Sequence, residues 1–397
     1  MKNTSRVACY SYPHFPTMVH RRSGRSLLES DGQRTLATLR RSNRCRDTST
    51  MVRKAKLTAA SREEGHRVVV ADIGGTNARV QYWEVGDTDE LLHTHTFATK
   101  DFRSLESCLD VFLQDAMGGQ RPDAACFAVA GPVEDGVCMM TNAGWKVDER
   151  AIAAGLDIPL VGVLNDFEAV GYGVQGLSED SLVALNEVQK VPKAPCVCLG
   201  PGTGLGEALM FWDESAQSYK VHPTEGGHVG FAPRGWKQRA LHAFVENQHG
   251  FCEMEHILSG SGLKRIYDFL RTDPETHRQG IETPDLEPAQ ISEAGLNDTN
   301  QLCRESVDLF LSVLGAEAGN MGLKVLARGG VYIAGGVTPK LMPRMKMGAV
   351  LEEFLNYPNT KFHPLLKKIP LYAVIDEGVG LLGTKVYAKR FLLGTRQ

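Results

Sequence analysis

The chain has 397 residues, 42% of them hydrophobic and 23% charged, with a formal net charge of −3. That length allows two or three domains and the composition is ordinary for a globular protein, while no run approaches 18 uninterrupted apolar residues, which argues against a membrane-spanning helix. The nine cysteines, odd in number and scattered, suit reduced thiols better than a disulfide framework.

Residues 1–60 hold thirteen Lys/Arg against Glu29, Asp31 and Asp47, a net of +10, so the remainder carries −13. This leader is rich in Ser and Thr and lacks the apolar core of a secretory signal. An Arg- and Ser-rich, acid-poor start reads as a transit peptide for a mitochondrion or plastid. The competing reading is a disordered tail that touches anionic surfaces, with the protein cytoplasmic. The acidic body would repel phosphate backbones, which argues against nucleic acid as a partner.

From Arg67 onward strands and helices alternate. Val68 to Val70 read as a buried strand, and Val80, Tyr82 and Val85 resume strand character after "DIGGTN". "TKDFRSLESCLDVFLQDA" repeats Phe102, Leu105, Leu109, Phe112, Leu113 and Ala116 at helical spacing, with Asp101 as the expected cap. "AACFAVAGPV" is a short apolar strand. "IPLVGVLNDFEAVGYGV" is a strand that runs straight into a helix, with Asn165 and Asp166 at the junction.

"PCVCLGPGTGLGEALMFW" then repeats the opening arrangement of apolar strand, glycine turn and strand. Within it Cys196 and Cys198 alternate like strand residues and have no second cysteine pair or nearby His, so they read as buried apolar positions rather than metal ligands. Residues 271–298 are polar and proline-bearing, a surface excursion with a short helix near Pro288 to Ala294. A long helix is expected from about Thr299 to Leu326, with Leu302, Val307, Leu311, Val313, Leu314 and Met321 on its core side, and a strand from Val331 to Ala334 ends in Gly335-Gly336. Two strand–turn–strand units, each followed by alternation, predict two similar α/β domains facing each other across a ligand site.

Three separated glycine loops, "DIGGTN" (72–77), "GPGTGLG" (200–206) and "AGGV" (334–337), need an explanation beyond turns. Bare backbone N–H groups cradle phosphate, Thr76 and Thr203 can donate hydroxyls to it, and Asp72 can hold its magnesium. No G-x-x-x-x-G-K-[ST] is present, and the strand expected after Gly200, Gly202 and Gly204 argues against a dinucleotide fold. A second, polar set comprises Asn142, Asn165, Asp166, Glu225, His228 and Glu255, amides, carboxylates and an imidazole of the kind that hold sugar hydroxyls. Asp166, opening a helix, is the best general-base candidate, because the positive end of the helix dipole favours its ionised form near neutrality.

"DIGGTNAR", "AGPV", "MTNAGW", "LNDFEAVGYG", "GPGTGLG", "TEGGHVGFAPR", "EHILSGSGL" and "IAGGV", in this order, resemble the bacterial-type ATP-dependent glucokinases of the actin-like sugar kinase superfamily. The resemblance covers about residues 67–390 and rests on eight collinear motifs. It implies two actin-like (ribonuclease H-like) α/β lobes with a ligand cleft between them. The implied division is a leader over 1–66, a smaller lobe from 67–176 plus 377–397, and a larger lobe over 177–376.

By the same resemblance ATP, Mg²⁺ and D-glucose meet in the cleft, with Asp166 as catalytic base and Asn165, Glu225, His228 and Glu255 as glucose ligands. Asn142 is a further sugar-site candidate. Asp72, Gly74, Gly75, Thr76 and Asn77 would form one phosphate loop, with Asp72 on magnesium directly or through water. Gly202, Thr203, Gly204 and Gly206 would form the other, and Gly335-Gly336 the adenosine-side turn. A homodimer is left open.

Two other readings compete. A related amino-sugar or other hexose kinase of the repressor/open-reading-frame/kinase group usually carries a cysteine-rich zinc motif after the sugar-binding His, and none follows "GGHVGFAPRG". A non-catalytic sugar sensor with a DNA-binding head would need a helix-turn-helix pattern, which the leader lacks.

Overall fold

A computed structural model describes residues 65–272 and 283–394; nearly all of the predicted leader and the middle of the polar excursion lie outside them. Strands β1 (His66–Ile73), β2 (Asn77–Val85) and β3 (Glu90–Ala98) form an antiparallel meander, and β4 (Ala124–Val129) continues the sheet parallel to β1. A small antiparallel sheet of β5 (Val133–Glu134), β6 (Val137–Met140) and β7 (Trp145–Asp148) follows before β8 (Leu160–Asn165) pairs parallel with β4. The first sheet therefore runs β3-β2-β1-β4-β8.

Its central strands are covered on both faces, which is why they read as unbroken apolar runs rather than alternation. Along β1, Val69, Ala71 and Ile73 pack with Leu109, Phe112 and Leu113 of the helix Leu105–Met117, while Val68 and Val70 turn to the opposite core. That helix is not capped by Asp101, as expected, but by Ser104, whose hydroxyl accepts the Ser107 N–H in a capping box. The reason lies upstream. Thr99–Asp101 is a separate turn, held to the first glycine loop by the Thr99 N–H donating to the Thr76 carbonyl at 2.9 Å.

The second sheet repeats the scheme. After the edge strand β9 (Leu182–Ala184), β10 (Cys196–Pro201), β11 (Leu205–Asp213) and β12 (Ser218–Thr224) make an antiparallel meander. Strands β13 (Gly330–Ile333) and β14 (Leu371–Val374) then extend it parallel to β10, giving β12-β11-β10-β13-β14-β9. The expected long helix is Gln301–Val325, capped by Asn300, and all six predicted core positions on it are buried. Thr299 stays outside because its hydroxyl and N–H are both drawn to the Ala294 carbonyl closing the helix Pro288–Leu296. Cys196 and Cys198 are buried free thiols, and burial pushes Cys196 up to about 11. No helix among the described residues is long and apolar enough to cross a membrane.

Between the two sheets lie two helices, Asp166–Val174 and Val379–Tyr387, in a core that draws Val68, Val70, Ala124 and Cys126 from one sheet and Cys198, Met210, Val221 and Ala334 from the other. The helices meet backbone to backbone. A Cβ added to Gly173 would overlap the Val379 carbonyl, and one on Gly383 the Ala169 carbonyl. Asp166 thus begins an element packed against both sheets.

Candidate active site

Both glycine loops are tight hairpin turns at corresponding places in the two sheets. In the first, the Gly74 N–H donates to the Asn77 carbonyl at 2.9 Å, and the buried Thr99 hydroxyl donates to the Gly75 carbonyl at 2.8 Å. Thr76 and Asn77 stay exposed at the tip. Asn142, in the turn between β6 and β7, sits against this loop, with its Cβ 2.8 Å from where a Gly75 side chain would begin. In the second, the Gly202 N–H donates to the Gly204 carbonyl at 2.8 Å. A side chain at Gly202 would meet nothing, so that position opens outward.

Not every glycine of the second loop faces outward. Gly200 and Gly206, paired across β10 and β11, make room for the Phe167 ring, which a Cβ on either would strike. Bareness at Gly206 thus serves packing against the Phe167 ring. Phe167, the neighbour of Asp166, seats the junction of β8 and its helix on the hairpin. Gly335, at φ +85°, lies against Gly200 and Pro201, whereas Gly336 is open. The N-terminal end of the helix Gly260–Thr272 also abuts this loop, the Gly260 N–H donating to the Gly202 carbonyl at 2.9 Å, which adds a field favouring anions.

At the junction, Asn165 is the cap: its side-chain oxygen accepts the N–H groups of Phe167 and Glu168 at 2.9 and 3.1 Å, and its amide donates to the Gly131 carbonyl at 3.1 Å. Both oxygen lone pairs are used, so one amide N–H is left for a ligand. Asp166 is the first helical residue, with Oδ1 accepting the Phe167 N–H at 2.8 Å and Oδ2 free of that bond. Its ionisation differs from the expectation. Burial outweighs the local N–H groups, and the charges of Asp72 and Glu225 add to it, lifting the carboxyl to about 6. It is still mostly ionised at neutral pH, but poised. The same coupling shows that the three carboxylates share one neighbourhood.

Asp72 faces Arg79 across the β1–β2 ladder. Burial raises it, and the Arg79 guanidinium only partly offsets this. Asp72 offers a hard carboxylate oxygen of the type Mg²⁺ prefers, although no cluster of three or more His, Cys, Asp or Glu side chains is placed to hold a metal among the described residues.

Glu225, His228 and Glu255 come from the segment after β12 and from a loop that crosses it. Glu225 and His228 keep 67% and 54% of their side chains exposed, so both can reach a ligand. The His228 Nδ1 bonds Glu253 at 2.8 Å and its Nε2 points toward Glu225 at 3.9 Å. The hydrogen bond to Glu253, with the Glu255 and Glu225 charges behind it, raises the imidazole above its ordinary range. Glu255 bridges two loops, its N–H donating to the Gly227 carbonyl at 2.8 Å and its carboxylate accepting the Leu205 N–H at 2.9 Å. Arg234 fixes the base of the segment on the long helix through the Ala316 carbonyl and the Asn320 side chain, at 3.2 and 3.0 Å.

The structure couples Asp72 and Glu225 to Asp166 beside Asn165, seats Asn142 against the first hairpin and Glu255 against the second, and sets His228 near Glu225. It adds four residues that the sequence did not single out: Thr99, Phe167, Glu253 and Arg79. Glu253 stands two places before Glu255 in "CEME", the one available hint.

A family profile described as Glucokinase matches residues 69–391. A glucokinase of Nostoc sp. is 34% identical over 342 residues, covering 81% of this chain and 99% of that protein, and one of Synechocystis sp. is 34% identical over 352 residues, covering 82% and 98%. Among solved structures, a glucokinase from an Antarctic psychrotroph superposes with a TM-score of 0.71 at 28% identity, over 81% of this chain and 98% of that one. A Balamuthia mandrillaris glucokinase in complex with glucose, at 22% identity, shares the fold with a TM-score of 0.68 over 87% and 99%.

Proposed function

The chain belongs to the glucokinase family, and from that premise we propose that its Asp166 junction is where a hexose hydroxyl is activated for phosphorylation. The protein is an ATP-dependent hexose kinase, a glucokinase that transfers the γ-phosphoryl group of ATP to O6 of D-glucose, giving glucose 6-phosphate and ADP. The observation that supports the assignment of roles is the position of Asp166, flanked by two phosphate-type hairpins and coupled to Asp72 and Glu225.

In this reading Glu225, His228, Glu255 and the remaining amide N–H of Asn165 hold the sugar hydroxyls, and Asn142 borders the same space. Glu253 fixes the His228 ring, so that Nε2 is the atom offered to the sugar. As O6 attacks phosphorus, its proton passes to Asp166 Oδ2. The backbone N–H groups around Gly74, Gly75, Thr76, Gly202, Thr203 and Gly204 orient the phosphates, and Gly336 leaves room for the adenosine. Asp72 is the residue that would hold Mg²⁺, with Asn77 beside it, and the bound ion would neutralise charge on the transferring group. The smaller lobe is taken as 67–176 plus 377–397 and the larger as 177–376, meeting at the shared helix pair.

The leader lies outside the family match and the described residues; targeting to a mitochondrion or plastid is proposed for it on composition alone, to be tested by the destination of a fluorescent protein fused behind residues 1–66. A homodimer is the assembly to be tested by light scattering. The test of the whole reading is a coupled assay of the purified protein against a panel of hexoses and phosphoryl donors. Turnover confined to glucose with ATP supports it, and preference for another hexose or donor overturns it.

A further inference from the structure

A cavity of about 970 Å³ lies away from the Asp166 junction. It opens where the chain crosses between the lobes, and none of the residues assigned above to sugar, phosphate or base chemistry lines it. One side is formed by Gln175, after the shared helix, and by Arg390 and Phe391 near the end of the described chain; the other by Lys190, Trp212 and Tyr332 of the second lobe. Cavities of 300–1,000 Å³ with a few placed polar groups are the usual form of a small-molecule site.

Cations outnumber acids in its lining, with Arg390, Lys190 and Lys193 against Glu179. Arg390 is half-buried, and its printed hydrogen bond is to an amide, Gln175 Oε1 at 3.0 Å; no carboxylate pairs with it among the described residues. Burial accordingly pulls the guanidinium below its ordinary range. Lys190 rests on rings instead of acids, with its ammonium 4.6 Å from the Tyr372 centroid and 5.4 Å from that of Tyr332. Lys193 covers Trp212 at 4.9 Å and is the one of the three cations with an acid partner, Glu214. A continuous set of contacts joins these groups: Arg390 bonds Gln175, the Gln175 amide donates to the Tyr219 carbonyl at 3.2 Å, and the Tyr219 ring meets Trp212 edge-on. A half-buried guanidinium without a counter-ion is costly, and an anion bound from solution would relieve it.

We propose that this cavity is a second, non-catalytic binding site for a phosphomonoester of nucleoside monophosphate size that carries an aromatic ring, its phosphate held by Arg390 and Lys190 and its aromatic ring by the Trp212–Tyr219 wall. The ligand would touch elements of both lobes at once, at their crossover.

The test is calorimetry on the full chain with its cleft filled by glucose and a non-hydrolysable ATP analogue, titrated with uridine monophosphate, glucose 6-phosphate and inorganic phosphate. Trp212 supplies an independent fluorescence signal. Uridine monophosphate is expected to bind one-to-one, about ten-fold or more tighter than either phosphate without an aromatic ring, with the fluorescence change lost in Trp212→Phe. Arg390→Gln is expected to weaken it about ten-fold or more while leaving kcat unchanged. Should Arg390→Gln fail to fold, Lys190→Gln, at an exposed side chain, carries the same comparison. The proposal is overturned by the absence of saturable binding at millimolar ligand, by equal binding of glucose 6-phosphate, by loss of binding when the cleft is filled, or by undiminished affinity in the charge variants. These outcomes do not depend on the kinase reading, which the coupled assay tests separately.

Discussion

The carboxylate of Glu255 accepts the backbone N–H of Leu205 at 2.9 Å, so a residue assigned to the sugar also tethers the end of the second glycine hairpin. Glu225 has no such tie and is largely exposed. Glu225→Gln should therefore raise the KM for glucose and spare that for ATP, whereas Glu255→Gln should raise both. Loss of a charge-assisted bond predicts about 1.5–3 kcal/mol, or roughly ten- to a hundred-fold in kcat/KM for glucose. Steady-state kinetics with each substrate varied in turn decide it; an ATP KM untouched in Glu255→Gln would detach the hairpin from that carboxylate.

Asp166→Asn should lose on the order of 10²–10⁴ in kcat while still binding glucose by calorimetry. It should also melt at a higher temperature at neutral pH. The folded carboxyl titrates at about 6 against an ordinary value of 3.8, so the native state disfavours the charged form, and stability is lost as pH rises from 3.8 through 6. Removing the charge recovers at most about 3 kcal/mol above pH 6 and nothing below pH 3.8. A variant that is inactive because it is misfolded would show the opposite shift in Tm.

In the wild-type enzyme, kcat/KM should fall as pH drops through about 6, where Asp166 gains a proton. The Glu225 charge contributes to that raised value, so Glu225→Gln should move the acidic limb to lower pH. A pH–rate profile whose limb stays put in Glu225→Gln would separate the two carboxylates.

Glycines of one loop should respond differently. Gly202→Val projects into open space and should raise the KM for ATP with little change in Tm. Gly206→Ala drives a methyl into the Phe167 ring and should cost about 1–3 kcal/mol of stability. Thermal melts beside ATP kinetics distinguish the pair, and the assignment fails if Gly202→Val alters glucose binding instead.

Glu253→Gln should lower the His228 pKa toward its ordinary value, since the hydrogen bond to Glu253 is the largest cause of its rise. NMR titration of the imidazole reads this directly. A several-fold higher KM for glucose should accompany it, with kcat nearly unchanged, because the ring loses its orientation rather than its chemistry.

What the sequence revealed was what is local. The two hairpins, the Asn165–Asp166 junction and the core stripe of the long helix each lie within one contiguous run, where glycine placement and apolar spacing carry the signal. What it hid depends on distant partners. Thr99 reaches the first hairpin across 24 residues, and Glu253 reaches His228 across 25. Phe167 is an ordinary apolar helix residue until the space left by Gly200 and Gly206 is known. The cap at Ser104 was missed because Asp101 belongs to a separate turn, and the upward shift of the Asp166 carboxyl was not legible because burial has no spacing signature.

The helix pair between the sheets has a mechanical consequence. Side chains that interlock ridge into groove oppose axial sliding, since each must climb over the next. At Gly173 and Gly383 the two backbones meet with no side chain between them, so the seam there has no teeth. Any displacement along it would be graded rather than stepped, the seam acting as a smooth bearing. A single methyl at either glycine would turn that bearing into a wedge, forcing the helices apart and carrying the start of one of them, Asp166, with it.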